Sequence, residues 1–479
     1  MKINQYFITN DDSVSLNHVD FSVNTIDKFR IYSHKKLKVN QFEKSDTRLV
    51  VLGDIYNPFQ PNFLNADIGA SLVEYITFTD ILKAIDKLTG RFVLFIKVEG
   101  KYYIVSDFFG QRQVYYWFKD NNFYASSSDK LLLDTLGLSL EMNAIKQQLS
   151  ILNYFLKIHE HWLLGKTDWD NRFMKLLPNH YLNIDKAEDE HIPVFVTKTQ
   201  DKKELENEVL SILKNSIEAY SNRYDLKLGL TSGYDSRLLL ASSLPIKEKI
   251  KYFTFNRNDT YVKRDVSIAK QLAETYQLDY KTIETEALTS EFISQFSNEF
   301  IIPRILEKTK NIQWFKNQDL KNTAVVSGNG GALIRSIYNE QDFKTNESIC
   351  KAIEYEPKGF HLKALNEWLS TAKKYASENT LLLSDLFYLE IRLGKWGNKM
   401  VHELDISGIE EFTPYNNRHI MFSLLLNHNE AERKTITLNL LEQSVEGITS
   451  LPFNPKTWKD TVKKIIFYEH YKKWIQKIK

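Results

Sequence analysis

The chain has 479 residues, of which 43% are hydrophobic and 26% are charged, and these ordinary globular values exclude wholesale disorder. At roughly 150 residues per domain, this length predicts two or three domains. The 63 basic and 61 acidic side chains leave a formal net charge of +2, so no overall positive field favours nucleic acid. We therefore expect a small-molecule or peptide substrate.

Cysteine content and hydropathy bear on the cellular compartment. The single cysteine, Cys350, has no partner for an internal disulfide, and a Cys-based zinc site needs several thiolates. The first residues show no apolar signal core, and every long apolar stretch is broken by charge before the ~20 residues that a membrane helix needs. We expect a cytoplasmic protein with neither a membrane nor a nucleic acid as partner.

The first third of the chain reads as strands with short helices. Alternating apolar runs at 49–53, 91–98 and 101–106 are separated by turn signals, which is typical of an antiparallel meander. Between them, residues 80–88 have apolar positions three and four apart, which suits a helix lying on that sheet. This part of the chain is predicted to be α+β.

A polar, charged stretch between Asp185 and Glu204 predicts the main boundary near residue 200, and hence domains 1–199 and 200–479. Beyond it, strand and helix patterns alternate, which predicts a parallel sheet covered by helices. The alternation runs through 226–230, 235–244, 250–255, 262–276 and 323–328. From about Ala364 helical periodicity dominates. Ligands of such sheets bind beyond the carboxyl ends of the strands.

The segment LGLTSGYDSRLLL places Ser232, Gly233, Tyr234, Asp235 and Ser236 between an apolar strand and a helix. A loop there presents backbone N–H groups at a helix N-terminus, which suits phosphate oxygens. The two serine hydroxyls can donate to phosphate, and Asp235 can bind a magnesium ion that bridges phosphates. The alternative interpretation is an Asp N-cap after a Ser-Gly turn.

The same loop is similar to the pyrophosphate-binding loop of the ATP pyrophosphatase superfamily. Three earlier segments resemble asparagine synthetase: GDIYN at 53–57, SDFFGQRQVYYW at 106–117, and LPNHYLNID at 177–185. The chain therefore resembles the asparagine synthetase family, which includes β-lactam synthetases and lasso-peptide cyclases. This resemblance implies an α+β Ntn-hydrolase-like sandwich followed by an α/β parallel-sheet nucleotide-binding domain with an added helical region.

The amino-terminal nucleophile of the family is missing here. Members with glutaminase activity use an amino-terminal cysteine whose own α-amine serves as base, whereas this chain has Lys2, and Cys350 lies in the other half. The resemblance thus implies a first domain that keeps its fold without hydrolysing glutamine. As in β-lactam synthetases, the amine would come from the substrate.

For the second half, the resemblance implies binding of ATP and Mg²⁺, with Leu230 and Phe255 near the adenine. Asp235 would be a magnesium ligand and a catalytic residue, and a lysine near the carboxyl terminus would stabilise charge on the phosphate. The implied nucleotide contacts are Leu230, Ser232, Gly233, Tyr234, Asp235, Ser236, Phe255, Ser327 and Gly328, with Lys456 and Lys459 as the candidate catalytic cations.

Other positions match the family only partly. Asp265 matches a family aspartate, although a charge favoured by the helix dipole explains it equally. Glu410 matches a family glutamate, with a Pro-aromatic turn before a buried helix as the alternative. In VSGNGGALIRS, Asn329, Ala332 and Leu333 replace the family's carboxylates, and an Asn or Ala side chain neither takes up a proton at neutral pH nor replaces an anionic ligand.

Two functional hypotheses follow from these features. The first is a ligase that adenylates a carboxylate and joins it to an amine that does not come from glutamine, the two substrates being small molecules or peptides. The second is a catalytically degenerate nucleotide-binding or scaffold protein. A homodimer is an open alternative to a monomer.

Overall fold

The computed structural model describes residues 3–16, 18–141, 162–198, 201–257, 260–318, 320–355 and 357–455. In the amino-terminal part, two six-stranded antiparallel sheets have the orders β10-β8-β9-β1-β3-β2 and β12-β11-β7-β6-β5-β4. Their strands are β1 (Tyr6–Thr9), β2 (Phe21–Ile26), β3 (Phe29–His34), β4 (Val39–Lys44), β5 (Thr47–Tyr56), β6 (Thr89–Val98), β7 (Lys101–Ser106), β8 (Tyr115–Lys119), β9 (Asn122–Ser126), β10 (Met174–Lys175), β11 (His180–Asn183) and β12 (Glu188–His191). The predicted antiparallel meander is confirmed.

Strand β6 shows how the two sheets build two apolar layers. Successive side chains of a strand point to opposite faces, and Val93 and Phe95 join the core between the sheets. Phe92 and Leu94 instead pack in the layer that includes helices α1 (Asn65–Leu72) and α2 (Phe78–Ile85). Because both faces are covered, β6 is apolar along most of its length. A third helix, α3 (Asp129–Thr135), follows β9.

The second half contains the predicted parallel sheet, in the order β15-β14-β13-β16-β17. Its strands are β13 (Asp225–Gly229), β14 (Ile250–Asn256), β15 (Tyr280–Glu284), β16 (Thr323–Val326) and β17 (Glu410–Phe412), and its helices are α4 (Lys202–Ser221), α5 (Tyr234–Ser243), α6 (Thr260–Tyr276), α7 (Ser290–Asn298) and α8 (Thr309–Lys316). Helices cover both faces, since Tyr252 packs with residues of α4 to α6 while Phe253 packs with residues of α7 and α8.

The added helical region contains six α-helices and one π-helix among the described residues. It comprises α9 (Asn346–Ala352), α10 (Gly359–Asn379), α11 (Leu383–Leu386), α12 (Asn398–Leu404), α13 (Arg418–Asn427) and α14 (Glu430–Ser444). Between α11 and α12, residues Phe387–Gly397 form a π-helix. Two of its buried charged residues contact the amino-terminal half, where Glu390 pairs with His191 and Lys395 donates to the carbonyl of Thr167. None of the described helices combines the length and the apolar character that crossing a membrane requires.

Buried polar contacts join the two halves. Arg91 donates two hydrogen bonds of 2.7 Å to Asp405 and one of 3.0 Å to Glu410, and Arg112 donates to both carboxylate oxygens of Glu410 at 2.9 and 3.0 Å. We call these four residues the interface cluster. The halves also share apolar core, since Phe109 packs within the main cluster of the second half. The division into domains 1–199 and 200–479 stays a prediction.

Candidate active site

A cavity of about 530 Å³ lies at the carboxyl ends of the central parallel strands, a volume within the usual range for small-molecule sites. Strands β13, β14 and β16 and the segments that follow them form one wall, and the rest comes mainly from α6, α8, the end of the π-helix, α12 and strand β17. Its polar and charged lining residues are Thr231, Asp235, Ser236, Thr254, Arg257, Asp265, Lys308, Thr309, Asn311, Ser327, Asn329, Glu403 and Glu411.

The SGYDS segment forms a tight turn into helix α5. Gly233 is the N-cap in an extended conformation, and its N–H donates to the hydroxyl of Thr231 at 3.1 Å. The Thr231 and Ser236 hydroxyls are 2.7 Å apart and bond to each other. The first N–H groups of a helix have no acceptor within it and carry its positive dipole end. The start of α5 is therefore suited to an anion in the cavity.

Ser232 and Tyr234 occupy other roles in this turn. The N–H and the hydroxyl of Ser232 donate to the same oxygen of Asp265, at 3.0 and 2.5 Å. The Tyr234 ring stacks on Phe453 with 4.2 Å between ring centroids. Neither Ser232 nor Tyr234 is among the described residues that line the cavity. The Ser232 hydroxyl expected to donate to phosphate thus orients a carboxylate of the cavity wall.

Asp235 points into the cavity with a cation beside it. Its Oδ2 accepts a hydrogen bond of 2.9 Å from Arg335, and both side chains are about one-quarter exposed, at 22% and 24%. Burial raises the pKa of Asp235 to about 6, against the lowering effect of Arg335. Glycine allows the loop after β16 to pass close to Asp235, because a Cβ on Gly331 would lie 3.0 Å from the Asp235 carboxyl carbon.

Glu411 is a second cavity carboxylate, and no sequence motif singled it out. It accepts a 2.6 Å hydrogen bond from the Ser327 hydroxyl, and burial raises its pKa despite that bond. Its neighbour Glu410, the residue that matched the family, belongs to the interface cluster instead. Side chains alternate along a strand, so one of two adjacent glutamates in β17 faces the cavity and the other faces the amino-terminal half.

The cavity residues fit a magnesium ion only together with bound phosphates. Among the described residues, no three carboxylate or histidine ligands converge within 4.8 Å in the cavity. Magnesium commonly takes one or two protein carboxylates and completes its octahedron with water and substrate phosphates. Asp235 would supply the protein carboxylate, and the phosphates of a bound nucleoside triphosphate would supply further oxygen ligands.

The cavity brings together most of the residues proposed from the sequence. Those that line it are Leu230, Gly233, Asp235, Ser236, Phe255, Ser327 and Gly328, whereas Lys456 and Lys459 lie outside the described residues. Asp265, a residue with two interpretations, also lines it. Arg335 was missed because nothing local signals its contact with Asp235, one hundred positions away. The roles of all these residues in binding and catalysis stay predictions.

No protein-family model and no curated protein sequence matches this chain. Structural matches include glutamine phosphoribosylpyrophosphate amidotransferase from B. subtilis, complexed with ADP and GMP, at 10% identity over 70% of this chain and 71% of that one, with a TM-score of 0.24. NH3-dependent NAD synthetase from Campylobacter jejuni matches at 15% identity over 40% of this chain and 92% of that one, with a TM-score of 0.22. Glutamine-dependent NAD+ synthetase from Acinetobacter baumannii, in complex with ADP, matches at 11% identity over 53% and 63%, with a TM-score of 0.21. Similarity this low carries no functional argument.

Proposed function

We propose that this protein is an ATP-dependent, AMP-forming ligase that adenylates a carboxylate and joins it to an amine that does not come from glutamine. The observation that carries the proposal is the SGYDS turn, which follows strand β13, starts helix α5 and places Asp235 in the wall of a cavity large enough for a nucleotide. Ligands of open parallel sheets bind at this edge. The resemblance to asparagine synthetases supplies the reaction class.

The first step makes a leaving group. An oxygen of the substrate carboxylate attacks the α-phosphorus of ATP, the bond from that phosphorus to the bridging oxygen breaks, and pyrophosphate leaves. The start of α5 and the guanidinium of Arg335 would stabilise negative charge on the phosphates. Magnesium, when bound beside Asp235, would neutralise part of the phosphate charge.

The second step forms the amide. The amine nitrogen attacks the acyl carbon, AMP leaves, and the nitrogen gives up a proton. Asn329 has no basic group for this proton, whereas Glu411 lines the same cavity with a pKa raised by burial. A carboxylate with a raised pKa holds a transferred proton better than an exposed one. We assign Glu411 the role of proton acceptor.

In this proposal the amino-terminal half is an Ntn-hydrolase-like sandwich that does not release ammonia from glutamine. Its second residue is Lys2, which cannot act as the thiol nucleophile. Cys350 lies in α9 with no exposed surface, and burial raises the pKa of its thiol to about 11. A thiol of that pKa is a poor nucleophile at neutral pH.

The exchange of labelled pyrophosphate into ATP tests the first step. With a panel of carboxylic acids, we expect exchange with the cognate acid and its loss in Asp235→Asn. The matched control is Asp27→Asn, because Asp27 pairs with Arg48 at 2.5 Å on the amino-terminal half, away from the cavity. Unchanged exchange in Asp235→Asn would remove this residue from the mechanism.

A specific observation favours the second candidate, a nucleotide-binding scaffold without turnover. Ala332 offers no carboxylate where the family has a metal ligand, and Asp235, the ligand that the resemblance leaves in place, already has a cation in Arg335. Calorimetry with ATP and magnesium, set beside AMP formation over a broad panel of acids and amines, separates the candidates. Binding with no AMP in any reaction supports the scaffold, and one productive pair of substrates excludes it.

A further inference from the structure

Two histidines and a glutamate meet in a cluster, and none of the three lines the cavity. His180 begins β11 and pairs in register with His191, the last residue of β12. Their ring centroids are 4.0 Å apart, and Nε2 of His191 lies 3.0 Å from Oε1 of Glu390 in the π-helix. One ligand atom from each of the three residues lies within 4.8 Å of the other two.

Neighbouring groups already orient these side chains as a metal site requires. Nδ1 of His180 is 2.9 Å from the carbonyl oxygen of Pro178, so the neutral ring carries its proton there and keeps its lone pair on Nε2. The second oxygen of Glu390 accepts a hydrogen bond of 2.8 Å from the Trp368 indole. Hydrogen bonds of this kind fix the tautomer and orientation of ligands in known metal sites.

The charge of the cluster favours a cation. The buried Glu390 side chain has no lysine or arginine partner among the described residues, and buried carboxylates are paired with a cation or coordinate a metal. Asp189, the next acidic group, is paired with Lys166 at 2.6 Å.

We propose that His180, His191 and Glu390 bind a divalent transition metal, and that the ion is zinc. Two imidazoles and one carboxylate with a fourth position for water are a common zinc ligand set. Tetrahedral ligands at zinc distances stand roughly 3.4 Å apart, so small side-chain movements would close this cluster on an ion. The metal would join the β11–β12 hairpin to the π-helix. This inference does not depend on the ligase proposal.

The test uses the full-length, tag-free protein, stripped of metal and titrated with ZnCl₂ against a chromogenic chelator. We expect one zinc to bind per chain, and Co²⁺ in its place to show the intense visible absorption of a four-coordinate site. His191→Ala and Glu390→Gln should each weaken zinc binding at least about 100-fold, since even the loss of a residue that only orients a ligand costs roughly 10- to 100-fold.

Two further variants distinguish ligation from a structural effect. His419→Ala is the matched control, because His419 also pairs with a glutamate, Glu208 at 3.1 Å, but forms no three-ligand group among the described residues. The zinc affinity of this variant should equal that of the parent protein. His191→Cys should keep the metal and add a sulfur-to-cobalt charge-transfer band, which a damaged fold would not produce. The proposal is overturned if the parent protein binds no zinc, or if zinc affinity is unchanged in His191→Ala and Glu390→Gln.

Discussion

Two groups of paired charges in this molecule, one fully buried and one about one-quarter exposed, are built from the same residue types and behave differently. In the interface cluster, Arg91 is bound by two carboxylates, and although burial opposes ionisation, Arg91 holds the pKa of Asp405 well below its usual value. In the cavity, burial prevails, and the pKa of Asp235 rises to about 6. Multiply paired charges fix the contact between the halves, whereas incompletely compensated charges in a cavity are available to a ligand.

Breaking the interface cluster should have the largest effect on stability. Arg91→Met leaves Asp405 buried without its guanidinium, and the loss of one partner of a buried ion pair costs about 3–5 kcal/mol. The free energy of unfolding in urea measures this cost. The control, Arg48→Met, removes a pair whose side chains are about 30% exposed and should cost at most about 1 kcal/mol. Equal costs in the two variants would contradict the structural role of the cluster.

A smaller loss of stability is expected from a substitution at Gly330, where the loop after β16 contacts the amino-terminal half. Gly330 has φ +84°, and a Cβ there would lie 2.2 Å from the ring of Phe109. Gly330→Ala should therefore destabilise the protein by about 1–3 kcal/mol more than Gly100→Ala. Gly100 is the matched control because it also has a positive φ, +70°, but nothing within 4 Å. The difference between the two unfolding free energies isolates the clash with Phe109.

The raised pKa of Asp235 predicts how nucleotide binding depends on pH. If the ionised carboxylate holds magnesium, the affinity for ATP with magnesium should be constant above pH 7 and fall as pH drops through about 6, by up to about tenfold per pH unit. The sign follows because protonation removes the negative charge that attracts the ion. Calorimetry measures the profile, and Asp235→Asn should lose this pH dependence. A parent profile that stays flat down to pH 5 would refute the assignment.

The smallest predicted effect is a null result with glutamine. We expect no glutamate release from glutamine, with or without ATP, and no inhibition by thiol-directed glutamine analogues, since Lys2 supplies no thiol. Cys350→Ala should cost about 1 kcal/mol of packing and leave ligation unchanged, because the thiol is buried in α9. Glutamate formed in step with the product would overturn this view of the amino-terminal half.

Local sequence patterns predicted the sheets and the SGYDS turn as a candidate phosphate-binding loop. They did not predict which charged residue pairs with Asp235. The apolar run of β6 and the strand-turn-helix pattern around Asp235 can each be recognised within about ten residues. The contact between Asp235 and Arg335 cannot, because it depends on how the segment after β16 folds back over α5. Glu410 and Glu411 are adjacent in β17, so an error of one residue in the alignment exchanges the side chain that faces the cavity with the one that faces the amino-terminal half. A resemblance limited to short motifs does not fix the alignment to one residue.

The π-helix determines which side chains of residues Phe387–Gly397 share a face. Each residue of an α-helix turns the chain by about 100°, so positions five apart differ by about 140°, whereas a π-helix repeats near every fifth residue and brings such positions to one side. Glu390 and Lys395 are five apart, and both reach the amino-terminal half. Rewinding this segment as an α-helix at its present length would therefore place the two about 140° apart and turn one of them away from the amino-terminal half, whereas an α-helix one residue shorter would return them to one face at a spacing of four.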